Sequence, residues 1–193
     1  MQLLVNSWEQ RKLEDMSTIT DTKHATAPTS ESITNYRMII TSNVRMGKLL
    51  ITGMDYVTKS VYEEWSERIH LKSEDVVFSR EAPIGEAAVI PKDNNCYFLG
   101  QRMVAIRPNA FLNSYFLLAS FLIPKFKKEV FVRNSESTTV ANFGIPSIKK
   151  YKISIPKLIE QRKIGKILNS LDTTIASNQR HPFLLKIHPR PPP

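Results

Sequence analysis

Residues 75–90 read Asp75-Val76-Val77-Phe78-Ser79-Arg80-Glu81-Ala82-Pro83-Ile84-Gly85-Glu86-Ala87-Ala88-Val89-Ile90. The first six form a β-strand, Ala82-Pro83-Ile84-Gly85 a turn, and Glu86 to Ile90 a second strand. Pro91-Lys92-Asp93-Asn94-Asn95 closes that strand, and Cys96 to Leu99 and Gln101 to Arg107 continue as one or two more, broken at Gly100. Several short strands joined by tight turns predict an antiparallel or mixed sheet.

Upstream, NYRMIITSNVRMGKLLITGMDYVT (35–58) mixes β-branched residues with turn signals at Asn43, Gly47 and Gly53, and reads as short strands and loops. SVYEEWSERIH (60–70) places Val61, Trp65 and Ile69 four apart behind a serine cap, and predicts a short amphipathic helix. Residues 17–35 hold nine Ser/Thr in 19 positions and predict a loop or weakly structured insert. Downstream, 110–130 predicts a helix that Pro124 ends or kinks. Tyr151 to Pro156 is a short alternating strand. From 157 to 180, Ile164, Leu168, Leu171 and Ile175 fall at offsets 0, 4, 7 and 11, a narrow seam for packing on another helix. The helix would be about 36 Å long. The division expected is a mixed α+β domain over 1–155, a dimerisation or spacer helix over 156–180, and a disordered proline-rich tail over 181–193.

The chain has 193 residues and a formal net charge of +9, with a pI near 9.7. The charge is unevenly spread: residues 1–100 carry 11 Lys/Arg against 14 Asp/Glu, and residues 101–193 carry 16 against 4. A folded domain with a basic side, facing a polyanion, fits better than a basic tail protein. The single cysteine, Cys96, excludes an internal disulfide and fits a reducing cytoplasm. The longest apolar run, 115–123, is too short for a bilayer helix, so a soluble cytoplasmic protein is expected.

The catalytic vocabulary is sparse. The sequence has no Gly-rich phosphate loop, no dinucleotide fingerprint and no zinc spacing. The histidines (24, 70, 181, 188) are scattered. Glu74, Asp75 and Glu81 flank the hairpin, and Asp75 with Glu86 is the one pairing a metal-dependent nuclease could use; solvated turn and edge charges are the plainer reading. No catalytic and no metal residues are assigned. Duplex DNA contact is expected instead from Arg45, Lys48, Lys59, Arg80, Arg102 and Arg133, with Asn43, Gln101 and Ser137 as polar readers.

Three blocks sharpen this expectation. SEDVVFSREAPIGEAAVI followed by LGQRMVAIRP resembles the target-recognition domain of type I restriction–modification specificity subunits. ISIPKLIEQRKIGKILNSLDTTI resembles the helical spacer of that family, through Ile155-Pro156, Glu160-Gln161, Ile164 and Leu171-Asp172. Trp8 and Lys12-Leu13-Glu14-Asp15 resemble its usual domain opening. The resemblance implies a non-catalytic, DNA-reading chain that directs adenine methylation and restriction. S-adenosylmethionine, ATP and magnesium would belong to modification and restriction partner subunits. It implies a globular recognition domain joined to a coiled-coil-type helix, two of each in full-length members. One domain and one helix here suggest a half-size or truncated form, able to read a gapped palindrome as a homodimer through Ile164, Leu168, Leu171 and Ile175. Its alternative is a non-functional fragment that keeps only the modification-subunit contact. One departure stands out: Glu74-Asp75 replaces the family's usual Gly-Asp, so the turn there is expected to differ.

Overall fold

The computed structural model describes residues 8–23, 25–81, 83–135 and 143–180. Its centre is a four-stranded antiparallel sheet in the order β2 (Ser17–Asp21), β9 (Met103–Pro108), β6 (Val76–Ser79), β7 (Ala87–Val89). β6 is buried at every position because both faces of the sheet are covered. Val76 and Phe78, with Val104 and Ile106 of β9, face one hydrophobic cluster. Val77, with Met103 and Ala105, faces another. A strand between two packed layers needs an unbroken apolar run, and Val76-Val77-Phe78 supplies it. Phe78 lies against the rings of Phe121, Phe126 and Phe143, with centroids 5.2–6.0 Å away.

Short accessory pairs surround this sheet. β3 (Tyr36–Ile39) pairs parallel with β8 (Cys96–Leu99), and β4 (Val44–Arg45) with β5 (Lys48–Leu49) as a hairpin. β1 (Glu9–Lys12) pairs antiparallel with β10 (Lys152–Ile155), Glu9 opposite Ile155 and Lys12 opposite Lys152. The strand that begins the domain thus lies beside the strand that ends it. Short helices fill in around the strands: α1 (Leu13–Met16), α2 (Lys59–Trp65), α3 (Ser114–Leu122), α4 (Pro124–Ser135) and α5 (Ile145–Lys150).

Several expectations are corrected. Residues 17–21 form a strand, paired over five positions with β9. Threonine is β-branched and suits a pleated strand, so a Ser/Thr-rich segment is not of itself a loop. The break expected at Pro124 is present, as an end rather than a kink: α3 stops at Leu122, Ile123 is extended (φ −69°, ψ 146°), as the residue before a proline prefers, and Pro124 opens α4. The cap of α2 is Thr58, whose hydroxyl accepts from Val61 N, rather than a serine. α1 and α5 were not expected. Glu74 adopts a left-handed backbone (φ 72°), the conformation that glycine takes without strain. His24, Ala82, Ser137 and the tail 181–193 lie outside the described residues.

The last helix, α6 (Leu158–Arg180), has 23 residues, about 35 Å at 1.5 Å each. Its first half is docked on α3. Gln161, almost fully buried, accepts from Asn113 N at 3.0 Å and donates to the carbonyls of Phe111 (3.1 Å) and Pro156 (3.0 Å). At Gly165 the two helices approach so closely that a Cβ would stand 2.7 Å from Asn113 Oδ1 and 2.9 Å from Tyr115 Cβ. Ile164, expected in an intermolecular seam, packs on the core of its own domain. Leu168 and Leu171 stay exposed, and Ile175 follows in the same helix.

Candidate nucleic-acid interface

The register of the strands decides which loops meet. β2 and β6 end where β7 and β9 begin, with Asp21 opposite Val104, Ser79 opposite Met103 and Phe78 opposite Ala87. β3 and β8 run parallel and end at the same side, where Gly100 N donates to Ile39 O at 2.8 Å. Five of the sequence candidates, Asn43, Arg45, Arg80, Gln101 and Arg102, therefore gather at one end of the fold, although 59 positions separate the first from the last.

Hydrogen bonds tie these loops together. Arg80 N donates to Arg102 O at 3.1 Å, and Phe143 N donates to Arg80 O at 2.8 Å. Gln101 donates from its amide to Thr26 Oγ1 at 2.8 Å. Arg102 holds a left-handed backbone (φ 69°), and its Nε lies 2.9 Å from Glu81. At the hairpin tip Met46 is also left-handed (φ 47°), with its amide donating to the Glu86 carboxylate. Glu86 in turn faces Lys127 at 3.6 Å.

The candidates differ in what they can offer a ligand. Arg102 has a 58% exposed side chain, and an exposed ion pair contributes only about 0–1 kcal/mol, so phosphate can displace Glu81 at little cost. Arg80 is different, and its place among surface contacts is corrected: its side chain is 9% exposed and lies 3.6 Å from Asp21 inside the fold. Its guanidinium is engaged within the fold rather than presented at the surface. Asn43 is also buried, its side-chain oxygen accepting from Ile40 N at 2.9 Å to close a 3-10 turn (Thr41–Asn43). Arg45 folds back, donating from Nη1 to the carbonyls of Thr41 and Val44.

Three candidates remain. Lys59 starts α2 near the beginning of β3, the opposite end, and pairs with Glu63 at 3.6 Å. Lys48 is exposed on the flank of the sheet, beside the Gly47–Ala88 bridge. Arg133 lies in α4. Sequence reasoning missed Asp21, Glu81, Glu86 and Lys127 as members of this loop end. Glu81 and Glu86 were visible only as hairpin carboxylates, and no sequence signal brings Asp21 or Lys127 to them.

The imagined Asp75–Glu86 pair is not formed. Asp75 precedes Val76, which faces Val89, whereas Glu86 sits at the other end of the hairpin. Asp75 is buried and holds Arg107, whose Nε lies 2.8 Å from Oδ1 and Nη2 2.7 Å from Oδ2. This bidentate bond raises the Arg107 pKa above its ordinary value. Among the described residues no group of three His, Cys, Asp or Glu side chains is placed to hold a metal ion, and no helix is long and apolar enough to cross a membrane.

Comparison with known proteins agrees with this architecture. A relative from Methanocaldococcus jannaschii, named for the specificity subunit of the type I restriction enzyme MjaX, is 27% identical over 176 residues, covering 88% of this chain and 40% of that one. A chain from the structure named "Structural basis underlying complex assembly and conformational transition of the type I R-M system" superposes with a TM-score of 0.66 at 16% identity, covering 93% of this chain and 42% of that one. The HsdS subunit from Thermoanaerobacter tengcongensis gives a TM-score of 0.60 at 18% identity, covering 93% and 41%. At these identities the two structures establish the fold. The chain spans about 40% of the length of these relatives. Residues 6–186 match the type I restriction modification DNA specificity domain, and the chain belongs to that family.

Proposed function

We propose that this chain is a non-catalytic DNA-reading unit of a type I restriction–modification complex, equivalent to one recognition domain and its helix. The observation that supports the reading best is the convergence of Arg102, Gln101, Arg45 and the β6–β7 turn at one end of the sheet. Arginine on a rigid backbone is suited to phosphate and to guanine edges, and a hydrogen-bonded amide such as Gln101 to adenine. Lys48 and Arg133 would add phosphate contacts from the flanks. Arg80 and Asn43 act from within: they hold the loops that present the others. Modification subunits would supply S-adenosylmethionine and methyl transfer to adenine, and restriction subunits ATP-driven cleavage.

Two experiments test this. Selection of the purified chain against a randomised duplex library should enrich one short half-site, and failure to enrich any sequence over several rounds would reject sequence reading. Co-expression with modification subunits, followed by mapping of methyladenine, should place that half-site within the methylated motif. Methylation that ignores it would leave the chain as a partner-binding fragment only.

A further inference from the structure

At the loop end a carboxylate held inward is paired with an arginine that faces out. Glu81 follows β6, and the chain there is fixed by bonds from both directions. The Ser79 hydroxyl donates to Glu81 O at 2.8 Å, Gly85 N donates to Ser79 O at 2.9 Å, and Phe143 N donates to Arg80 O at 2.8 Å. The Glu81 side chain is 19% exposed, whereas its partner Arg102, with Nε 2.9 Å away, is 58% exposed. The carboxylate is therefore fixed and the arginine is free to leave it. Stability does not account for this arrangement. An ion pair this open to water gains little, and Arg102 keeps a left-handed backbone (φ 69°) that is strained in any residue but glycine. Strain of that kind collects where a chain faces a ligand.

What is left when Arg102 moves to a phosphate decides the chemistry. Glu81 cannot follow, because its stretch of chain is tied to Ser79 and Phe143. A carboxylate covered by a duplex and left unpaired is costly, so it needs a hydrogen-bond donor from the DNA. Base edges in the major groove differ in what they offer. Thymine presents an acceptor and a methyl group, and guanine presents two acceptors. Adenine sets its N6 amino donor beside the N7 acceptor, which repels a carboxylate. Cytosine presents the N4 amino donor with no acceptor of its own beside it. We infer that Glu81 is a specificity-determining residue, accepting from the N4 amino group of a cytosine once Arg102 has moved to phosphate, and disfavouring the other three bases at that position. This role presupposes the DNA reading proposed above and adds which base one side chain requires.

The test selects the full chain and its Glu81→Gln and Glu81→Ala variants against the same randomised duplex library. The wild type should enrich a half-site with a C·G pair at one fixed position. Glu81→Ala should relax that position alone, with about tenfold loss of preference over the other bases. Glu81→Gln keeps the shape but supplies both a donor and an acceptor, so it should move the same position from cytosine toward adenine. It also removes the carboxylate's repulsion, and should bind a fixed duplex lacking the half-site more tightly than the wild type does. If Glu81→Ala does not fold, the base change in Glu81→Gln carries the test. Unchanged motifs in both variants, a relaxed position that is an A·T pair, or loss of the whole motif in Glu81→Gln would overturn the role of Glu81 and leave the DNA reading standing. A wild type that enriches no sequence would reject the DNA reading itself, and this role with it.

Discussion

Glu74 carries a left-handed backbone (φ 72°) that glycine adopts without strain, and its amide still donates to Ile90 O at 3.0 Å. The bond closes the β6–β7 ladder beyond Val76. Glu74→Gly should therefore stabilise the chain, by about 1 kcal/mol in urea denaturation, since that is the scale of the left-handed penalty. Arg107 gives the opposite case. Arg107→Ala would leave the Asp75 carboxylate buried with Lys72 N, 2.8 Å away, as its remaining donor among the described residues. The expected loss is about 3 kcal/mol, read in the same assay.

Tyr97 and Asp93 make a residue pair with a pH signature. The Tyr97 hydroxyl donates to Asp93 Oδ2 at 2.6 Å. Burial, then the bond to Asp93, pushes the tyrosine above its ordinary 10.0. For Asp93, burial acts upward, but the bonds from Tyr97 and Asn95 outweigh it and hold the carboxyl below 3.8. A depressed carboxyl contributes stability above its unfolded pKa and loses it as pH falls through the folded value; a raised tyrosine contributes below about pH 10 and loses it as pH rises. The stability difference between wild type and Tyr97→Phe should be a plateau of about 1 kcal/mol between these limits, shrinking at both ends. A difference independent of pH would mean the bond does not carry it.

Among the elements, α6 divides into a docked half and an exposed one. Its N-terminal half belongs to the domain through Ile164, Gly165 and Gln161, and exposed apolar residues follow from Ile167 onward. Gly165→Ala tests the docked half. Alanine favours a helix by about 1 kcal/mol, yet its Cβ would meet Asn113, Tyr115 and the Phe116 amide at 2.7–3.1 Å. Overpacking costs about 1–3 kcal/mol, so the net effect should be destabilising, with hydrogen exchange rising first in α6. Faster exchange confined to β6 and β9 would contradict this view of the joint.

At the scale of the whole molecule, the β1–β10 pair clasps the beginning and end of the domain together and launches α6 from the same place. The loop end lies where β2 and β6 finish and β7 and β9 begin. The net charge of +9 need not all face DNA, since Arg80 and Arg107 are engaged by carboxylates inside the fold. Arg102→Ala should lower the salt slope of DNA binding by about one phosphate contact, whereas Lys59→Ala, at the opposite end, should leave it unchanged. A smaller slope for Lys59→Ala than for Arg102→Ala would reverse the orientation proposed.

Local chemistry made much of this legible from the sequence. Val76-Val77-Phe78 could only be a buried strand, Pro91 and Gly100 had to punctuate the hairpins, and the heptad pattern after Pro156 had to be a helix, because each depends on neighbours within a turn or two or one ladder. The order of motifs likewise pointed to the family, and three blocks of short-range pattern sufficed for it. What the tertiary structure decided depends on contacts far apart in the chain. A threonine-rich segment became a strand because β9 offered it an edge. Arg80 and Asn43, indistinguishable by type from surface readers, were drawn inward by Asp21 and Ile40. Ile164 turned into the domain while Leu168 and Leu171, one and two turns on, stayed out. Residue type states what a side chain can bond to, but burial and pairing depend on which distant segment the fold brings to it.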